Sequence, residues 1–310
     1  MNFILQLLLL ALGFFMLVKG ADWFVDGACW VAEKFRIPQL IIGLTIVAMG
    51  TSAPEAAVSL TSAAKGVADI TIGNIVGSNI MNILVILGLA SVIIPIAVAK
   101  STIRIELPFL LVITGVLYLM GLDGTISLLD GVILVLFFLV YLGYLFYCAR
   151  KNPEDASEEE DKKILKPWQA LLGLLVGLAL ILWGSDIAVD AATEIARILG
   201  MSERLIGLTI VALGTSLPEL VTSVTAARKG NADIAMGNIV GSNIFNILFV
   251  VGLSSLIIPV PFSAAFLTDM LIALGVAAFL LIVSIPKQKL TRVGGGLMLI
   301  GYIAYLIHLL

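Results

Sequence analysis

The sequence predicts an all-α integral membrane protein of ten transmembrane helices, arranged as two inverted five-helix repeats with a broken helix in each. Three observations carry this. The 310 residues are 60% hydrophobic and only 13% charged, about half the charge a soluble domain carries. The apolar residues fall into separate stretches of roughly 18 to 25 residues, enough to cross a ~30 Å hydrocarbon core as helix. And Gly43–Gly88 recurs without a gap as Gly207–Gly252, with 31 identities in 46 positions at a constant offset of 164.

The spans are read at 3–31, 39–64, 70–95, 104–122, 127–149, 168–196, 204–227, 233–257, 265–285 and 292–309. The first could pass for a signal peptide, but it lacks a basic leader and a cleavage site and has a counterpart later in the chain, so it is kept as a span. Gly121-Leu122-Asp123-Gly124-Thr125 separates spans four and five. The aqueous segment Arg150 to Lys166 carries the run Glu158-Glu159-Glu160-Asp161 and reads as a solvated linker rather than a calcium-sensing loop. The chain thus divides into an N-terminal repeat (1–149), an acidic linker (150–167) and a C-terminal repeat (168–310). The offset extends upstream, where Gly20, Asp22 and Asp26 fall on Gly184, Asp186 and Asp190. Five spans per half is an odd number, so the second half enters the membrane from the opposite side, giving inverted repeats.

Orientation follows from Lys and Arg. With both termini outside, the inner loops hold 14 basic residues: Lys34, Arg36, Lys100, Arg104, Arg150, Lys151, Lys162, Lys163, Lys166, Arg228, Lys229, Lys287, Lys289 and Arg292. The outer loops hold three: Lys65, Arg197 and Arg204. The linker is then cytoplasmic, and the short linker suggests a prokaryotic plasma membrane.

The net charge of −3 and the lack of a basic block offer nothing to nucleic acid. Cys29 and Cys148 lack metal-ligand spacing and read as packing residues; His308, the sole histidine, reads as an interfacial chain-end residue.

Chemistry concentrates in Gly50-Thr51-Ser52-Ala53-Pro54-Glu55 and its copy Gly214-Thr215-Ser216-Leu217-Pro218-Glu219. A carboxylate at membrane depth costs a few kcal/mol or more and needs a partner; two copies suggest that the partners are each other. Pro54 has no N–H, so the Gly50 carbonyl loses its helical donor and the preceding turn opens. The freed carbonyls, the Thr51 and Ser52 hydroxyls and the Glu55 carboxylate are all oxygen ligands. Hard cations such as Ca2+ and Na+ prefer that set. A second element, Gly73-Asn74-Ile75-Val76-Gly77-Ser78-Asn79-Ile80-Met81-Asn82, recurs at Gly237–Asn246. Its Asn74, Ser78 and Asn82 share a helical face, as do Asn238, Ser242 and Asn246, while Gly73 and Gly77 permit close helix approach. Ser78, Asn82, Ser242 and Asn246 are read as lining the ion site; Asn74, Asn79, Asn238 and Asn243 could equally serve interhelical hydrogen bonds. Asp22, Asp26, Asp186 and Asp190, near the inner ends of spans one and six, are read as capping or interfacial.

These duplicated motifs resemble the two α-repeats of the cation/Ca2+ exchanger superfamily, nearest its Na+/Ca2+ exchanger branch, prokaryotic type. The resemblance covers nearly the whole chain. It implies that Glu55 and Glu219 are central Ca2+ ligands that serve Na+ in turn, with the backbone oxygens of Thr51 and Thr215 completing the Ca2+ site. It further implies that Ala48, Ser52, Ser78, Ala212, Ser216 and Ser242 supply oxygens to flanking Na+ sites, with Asn82 and Asn246 completing the centre. By the same resemblance the broken helices would meet at this central ion site, and the long first and sixth helices would slide against an eight-helix core. K+-dependent exchangers and some prokaryotic relatives carry Asp where this chain has Asn246, which disfavours K+ co-transport. The H+/Ca2+ branch has Gly-Asn-x-x-Glu in place of the first motif and is less similar.

The expected function is antiport of Na+ against Ca2+ by alternating access, with H+/Ca2+ or K+-dependent exchange as alternatives. Two ionised glutamates give an empty site a charge of −2, which one Ca2+ neutralises, and an empty −2 site is costly to carry across a low-dielectric barrier. No resident cofactor is expected: Ca2+ and Na+ are cargo, the bilayer is the surrounding, and a single chain suffices. A channel would require a permanently wetted pore, usually built across several subunits. An enzyme would require a nucleophile or a zinc motif, and neither HExxH nor a second histidine occurs.

Overall fold

The computed structural model describes residues 3–151, 166–201, 210 and 212–309. The described chain is almost wholly helical. α1 (Phe3–Phe35) is followed by α2 (Gln39–Ile42), which runs through a π-helical turn at Gly43–Val47 into α3 (Ala48–Thr51) and breaks at Ser52 before α4 (Ala53–Ala64). α5 (Asp69–Met81) continues through a π turn, Asn82–Leu87, into α6 (Gly88–Ile93). α7 (Leu107–Met120) follows a π turn at Thr102–Glu106, and α8 (Leu128–Lys151) closes the first half. The second half runs α9 (Pro167–Ile198), α10 (Ala212–Thr215), α11 (Leu217–Arg228), α12 (Ala232–Phe245), a π turn at Asn246–Val251, α13 (Gly252–Ile257), α14 (Ala264–Ser284) and α15 (Arg292–Leu309).

Among the described residues, seven helical stretches are long and apolar enough to span a bilayer: Phe3–Phe35, Ile70–Ile93, Thr102–Asp123, Leu128–Lys151, Pro167–Ile198, Ala232–Ile257 and Ala264–Ser284. Gln39–Thr51 and Ala53–Ala64 form an eighth, bent by 51°. The expected span 292–309 falls on the shorter apolar helix Arg292–His308. The first part of the expected span 204–227 and the linker positions 152–165, with their acidic run, lie outside the described residues.

The bend follows from local sequence. Thr51 is the last residue of α3, Ser52 has left helical geometry (φ −81°, ψ 9°), and Pro54 occupies the first turn of α4. There its missing N–H leaves no helical bond unmade. The break thus sits two residues before proline, and Glu55 falls in the first turn of the new helix. Ser216, Pro218 and Glu219 repeat this arrangement at the start of α11.

α1 and α9 pack antiparallel along their length. A Cβ added at Gly13 would meet the Gly184 carbonyl at 2.8 Å, one at Gly20 the Gly177 carbonyl at 2.7 Å, and one at Gly27 the Ala170 carbonyl at 2.8 Å. Small residues at seven-residue spacing therefore let the two backbones touch, as lipid-embedded helices require when hydrophobic burial cannot drive them together. Gly13 and Gly20 lie 164 residues before Gly177 and Gly184, so each helix presents the same residues to the other.

Two short antiparallel strand pairs tie the loops. β1 (Ile96–Ala97) pairs with β4 (Lys289–Leu290), and β2 (Thr125–Ile126) pairs with β3 (Val260–Pro261). The two copies of α5 and its π turn lie at the centre: Ile72, Ile75, Ile80 and Ile86 are buried, as are Ile239, Ile244, Leu248 and Val250. The lipid-facing helices keep exposed apolar residues such as Leu8, Leu136, Val140 and Ile300, as a surface without water permits.

A candidate cation site between the two broken helices

The two breaks meet. Glu55 and Glu219 are both fully buried and close enough to interact electrostatically. The Ser52 hydroxyl, at the first break, donates to Glu219 Oε1 across the repeats at 2.7 Å. Glu55 Oε1 and Oε2, Glu219 Oε2 and the buried Ser216 hydroxyl make no hydrogen bond within the protein. Ser78 lies near the Glu55 carboxylate, and Ser242 and Thr51 lie near Glu219.

Behind the carboxylates is a crossbar of amides. Asn79 Nδ2 donates to the Asn243 carbonyl at 3.2 Å, and Asn243 Nδ2 to the Asn79 carbonyl at 3.1 Å. The side-chain oxygens of the same pair accept from Asn246 Nδ2 (3.1 Å) and Asn82 Nδ2 (2.9 Å). Both N–H-bearing ends of Asn82 and Asn246 are thereby turned away, leaving Oδ1 of each buried without a partner. Six buried atoms converge in this chemistry, and all six are oxygens. Such atoms are costly to bury unpaired; a cation satisfies them together, whereas an anion would meet two carboxylates and, of these six, only the Ser216 hydroxyl as a donor.

A second pair of amides holds the glutamate backbones. Asn74 Nδ2 donates to the Glu55 carbonyl (3.2 Å) and to Ser59 Oγ (3.1 Å). Asn238 Nδ2 reaches the Glu219 carbonyl (3.4 Å) and Ser223 Oγ (2.9 Å), while its Oδ1 accepts from Thr51 Oγ1 (3.0 Å). The asparagines left open between ion binding and interhelical bonding thus all make interhelical bonds.

Of the remaining expected ligands, Thr51, Ser52, Ser78 and Ser242 are buried at the centre and Thr215 is half-buried. The Ala48 carbonyl already accepts from the Ser52 N–H (3.0 Å) and from the Thr51 and Ser242 hydroxyls (3.4 Å each). It could bind an ion only as those donors turn. Ala212 begins α10, and the neighbouring Gly214 carbonyl accepts from Ser185 at 2.9 Å. Among the described residues no group of three or more His, Cys, Asp or Glu could hold a metal, so the site has two carboxylates and otherwise neutral oxygens.

Three features escaped the sequence reading. The crossbar role of Asn79 and Asn243 depends on which amides face each other across the repeats. Asn82 and Asn246 each open a π turn, a local widening frequent at functional sites and indistinguishable from α-helix by periodicity. Glu106, a third buried carboxylate, accepts from Tyr144 OH at 3.4 Å; the sequence signal was a carboxylate just inside a span, before Pro108. Asp186 and Asp190 lie in the C-terminal half of α9. Because α9 runs antiparallel to α1, they fall at the end opposite Asp22 and Asp26, so the four do not share one end as expected.

A family model described as sodium/calcium exchanger protein matches residues 5–147 and 169–310. The putative antiporter CaxA of Alkalimonas amylolytica is 42% identical over 302 residues, covering 94% of this chain and 95% of its own. The sodium/calcium exchanger MaX1 of Methanosarcina acetivorans is 32% identical, covering 97% of each. Among solved structures, the sodium-calcium exchanger NCX_Mj soaked with zero Na+ and Ca2+ superposes with a TM-score of 0.86 at 33% identity, covering both chains completely.

Proposed function

We infer the working of this chain from one premise: it belongs to the sodium/calcium exchanger protein family. It is a multi-pass membrane protein and a Na+/Ca2+ antiporter, with both ions as substrates. Our proposal concerns how. Glu55 and Glu219 bind Ca2+ and Na+ alternately, and the Thr51 and Thr215 carbonyls, Ser52, Ser216, Ser78, Ser242, Asn82, Asn246 and the Ala48 and Ala212 carbonyls supply neutral oxygens. The observation that carries this is the set of six buried, unpartnered oxygens: both oxygens of Glu55, Glu219 Oε2, Ser216 Oγ, Asn82 Oδ1 and Asn246 Oδ1.

Two carboxylates set the coupling. With both ionised the empty site carries −2 and is held at an intramembrane position where unpaired charge costs several kcal/mol. One Ca2+ neutralises it, and three Na+ taken in its place would bring it to +1. Filled states can cross between the two faces and the empty state is penalised, so flux in one direction requires flux in the other. The chain acts as a single copy in the plasma membrane, as inverted repeats 1–149 and 168–310 in ten crossings, with both termini outside and the 150–167 linker in the cytoplasm. The excess of basic residues in the inner loops supports that orientation, and the antiparallel packing of α1 on its copy α9 supports the inversion.

The test is radioactive Ca2+ uptake into proteoliposomes driven by an opposing Na+ gradient. Wild-type uptake depends on Na+ on the far side; Glu55→Gln and Glu219→Gln each reduce it to background. Normal exchange by Glu55→Gln would falsify the assignment, and uptake insensitive to trans Na+ would replace exchange by a channel.

A further inference from the structure

The two halves of the chain repeat the same charges but use them differently. At the end of α11, Lys229 Nζ bonds Asp26 Oδ1 at 2.7 Å and the Asp22 carbonyl at 2.9 Å, with Asp22 Oδ1 at 3.5 Å. Each participant has a copy 164 residues away: Lys229 corresponds to Lys65, Asp22 to Asp186 and Asp26 to Asp190. Lys65, Asp186 and Asp190 are all exposed and form no ion pair among the described residues.

The packing is unequal in the same sense. α1 lies against α11, but α9 has no comparable contact with α4, the copies of that pair. Ile234, on α12, is fully buried, whereas its copy Ile70, on α5, is 51% exposed. Asn238, Gly237, Gly241 and Thr51 are buried, and Asn74, Gly73, Gly77 and Thr215 are only half-buried. One end of the molecule is drawn together around Lys229; the other is open around Lys65.

We propose that Lys229 with Asp26 and Asp22 is an ionic latch that holds α1 against α11 in this state, and that Lys65 with Asp190 and Asp186 forms the corresponding latch in the opposite-facing state. The residues are positioning residues for exchange and touch no ion. The physical reasoning is that an exchanger needs two states of nearly equal free energy, because a cycle stalls when either dominates. Identical charges in inverted positions give each state the same contact. The Lys229 pair is partly exposed, with side chains 27% and 44% accessible. Such pairs shift an equilibrium only about threefold, weak enough to break in every cycle. The assignment of two alternately facing states rests on the exchange reading above.

The experiment uses the full chain in proteoliposomes, with Cys29 and Cys148 replaced by Ala, and a single reporter thiol at a time, I70C or I234C. The ratio of their maleimide labelling rates reports which end is open. Lys229→Gln is expected to lower the I70C-to-I234C ratio about threefold and Lys65→Gln to raise it by a similar factor, while Lys229→Arg leaves it as in the parent. A merely structural role for these lysines would move both ratios the same way or not at all, and either result overturns the latch. Na+-driven Ca2+ uptake is measured on the same vesicles: opposed ratio shifts without Na+-coupled uptake would refute the exchange reading and leave the latch standing.

Discussion

Ser52 and Ser216 occupy the same place in the two breaks yet stand in different bonding states. The Ser52 hydroxyl donates to Glu219 at 2.7 Å, whereas the Ser216 hydroxyl makes no hydrogen bond. A hydrogen bond to a charged, buried acceptor contributes about 1.5–3 kcal/mol, equivalent to roughly tenfold or more in affinity. Ser52→Ala should therefore weaken Ca2+ binding about tenfold by equilibrium titration of purified protein, and Ser216→Ala should weaken it less; equal losses would show that the asymmetry has no energetic weight. Glu106 presents the opposite case, a buried carboxylate whose partner is a tyrosine rather than its own copy. Glu106→Gln keeps the volume and an oxygen for Tyr144, so Na+-driven uptake should stay within about twofold of wild type, while Glu106→Ala opens a cavity costing about 2–4 kcal/mol, read as a lowered thermal midpoint. At this scale the sequence was legible where a residue type is expensive: a carboxylate behind a proline in an apolar run has few explanations. It was not legible for Asn79 and Asn243, because a neutral amide in a membrane helix is cheap to satisfy in many ways and only the partner across the repeat decides which.

The broken helix and the long antiparallel pair show what sequence can fix in an element. Pro54 marked the break to within two residues, since proline tolerates only the first turn of the helix it begins. The π turns at Asn82–Leu87 and Asn246–Val251 left no such mark, because one extra residue per turn barely changes an apolar pattern. The glycines of α1 gain their meaning only from the facing helix: Gly20 is wanted because the Gly177 carbonyl stands where its Cβ would be. Gly20→Ala should force the helices apart and lower stability by about 1–3 kcal/mol, seen as a lower thermal midpoint in detergent. Gly143→Ala, at an exposed position in α8 where an added Cβ meets nothing within 4 Å among the described residues, serves as the control. An unchanged midpoint for Gly20→Ala would mean that the α1–α9 contact is loose enough to absorb a methyl group.

At the scale of the molecule, the two strand pairs constrain how often the chain crosses the membrane. β1 and β4 can pair only if residues 96–97 and 289–290 lie on the same side, and β2 and β3 only if 125–126 and 260–261 do. The chain must therefore cross an even number of times between the members of each pair. Ten crossings give six between β1 and β4 and four between β2 and β3, whereas losing either span 204–227 or the bent span alone would break the count only where it falls between them. Span 204–227 falls inside both intervals, so its crossing is what the proposed ten-span arrangement needs to keep both counts even when every other span there crosses once. One crossing, α7, separates β1 from β2, so the two sheets lie on opposite faces. In the proposed orientation β1 and β4 face the cytoplasm, because Lys100, Arg104, Lys287, Lys289 and Arg292 flank them and basic loops favour that side. In right-side-out vesicles of the cysteine-free background, a thiol placed by Asp123→Cys should react with a membrane-impermeant maleimide. One placed by Gln288→Cys should react only after the membrane is permeabilised. Reversed labelling would overturn the orientation and keep the crossing parity; labelling of both from one side would overturn the parity itself.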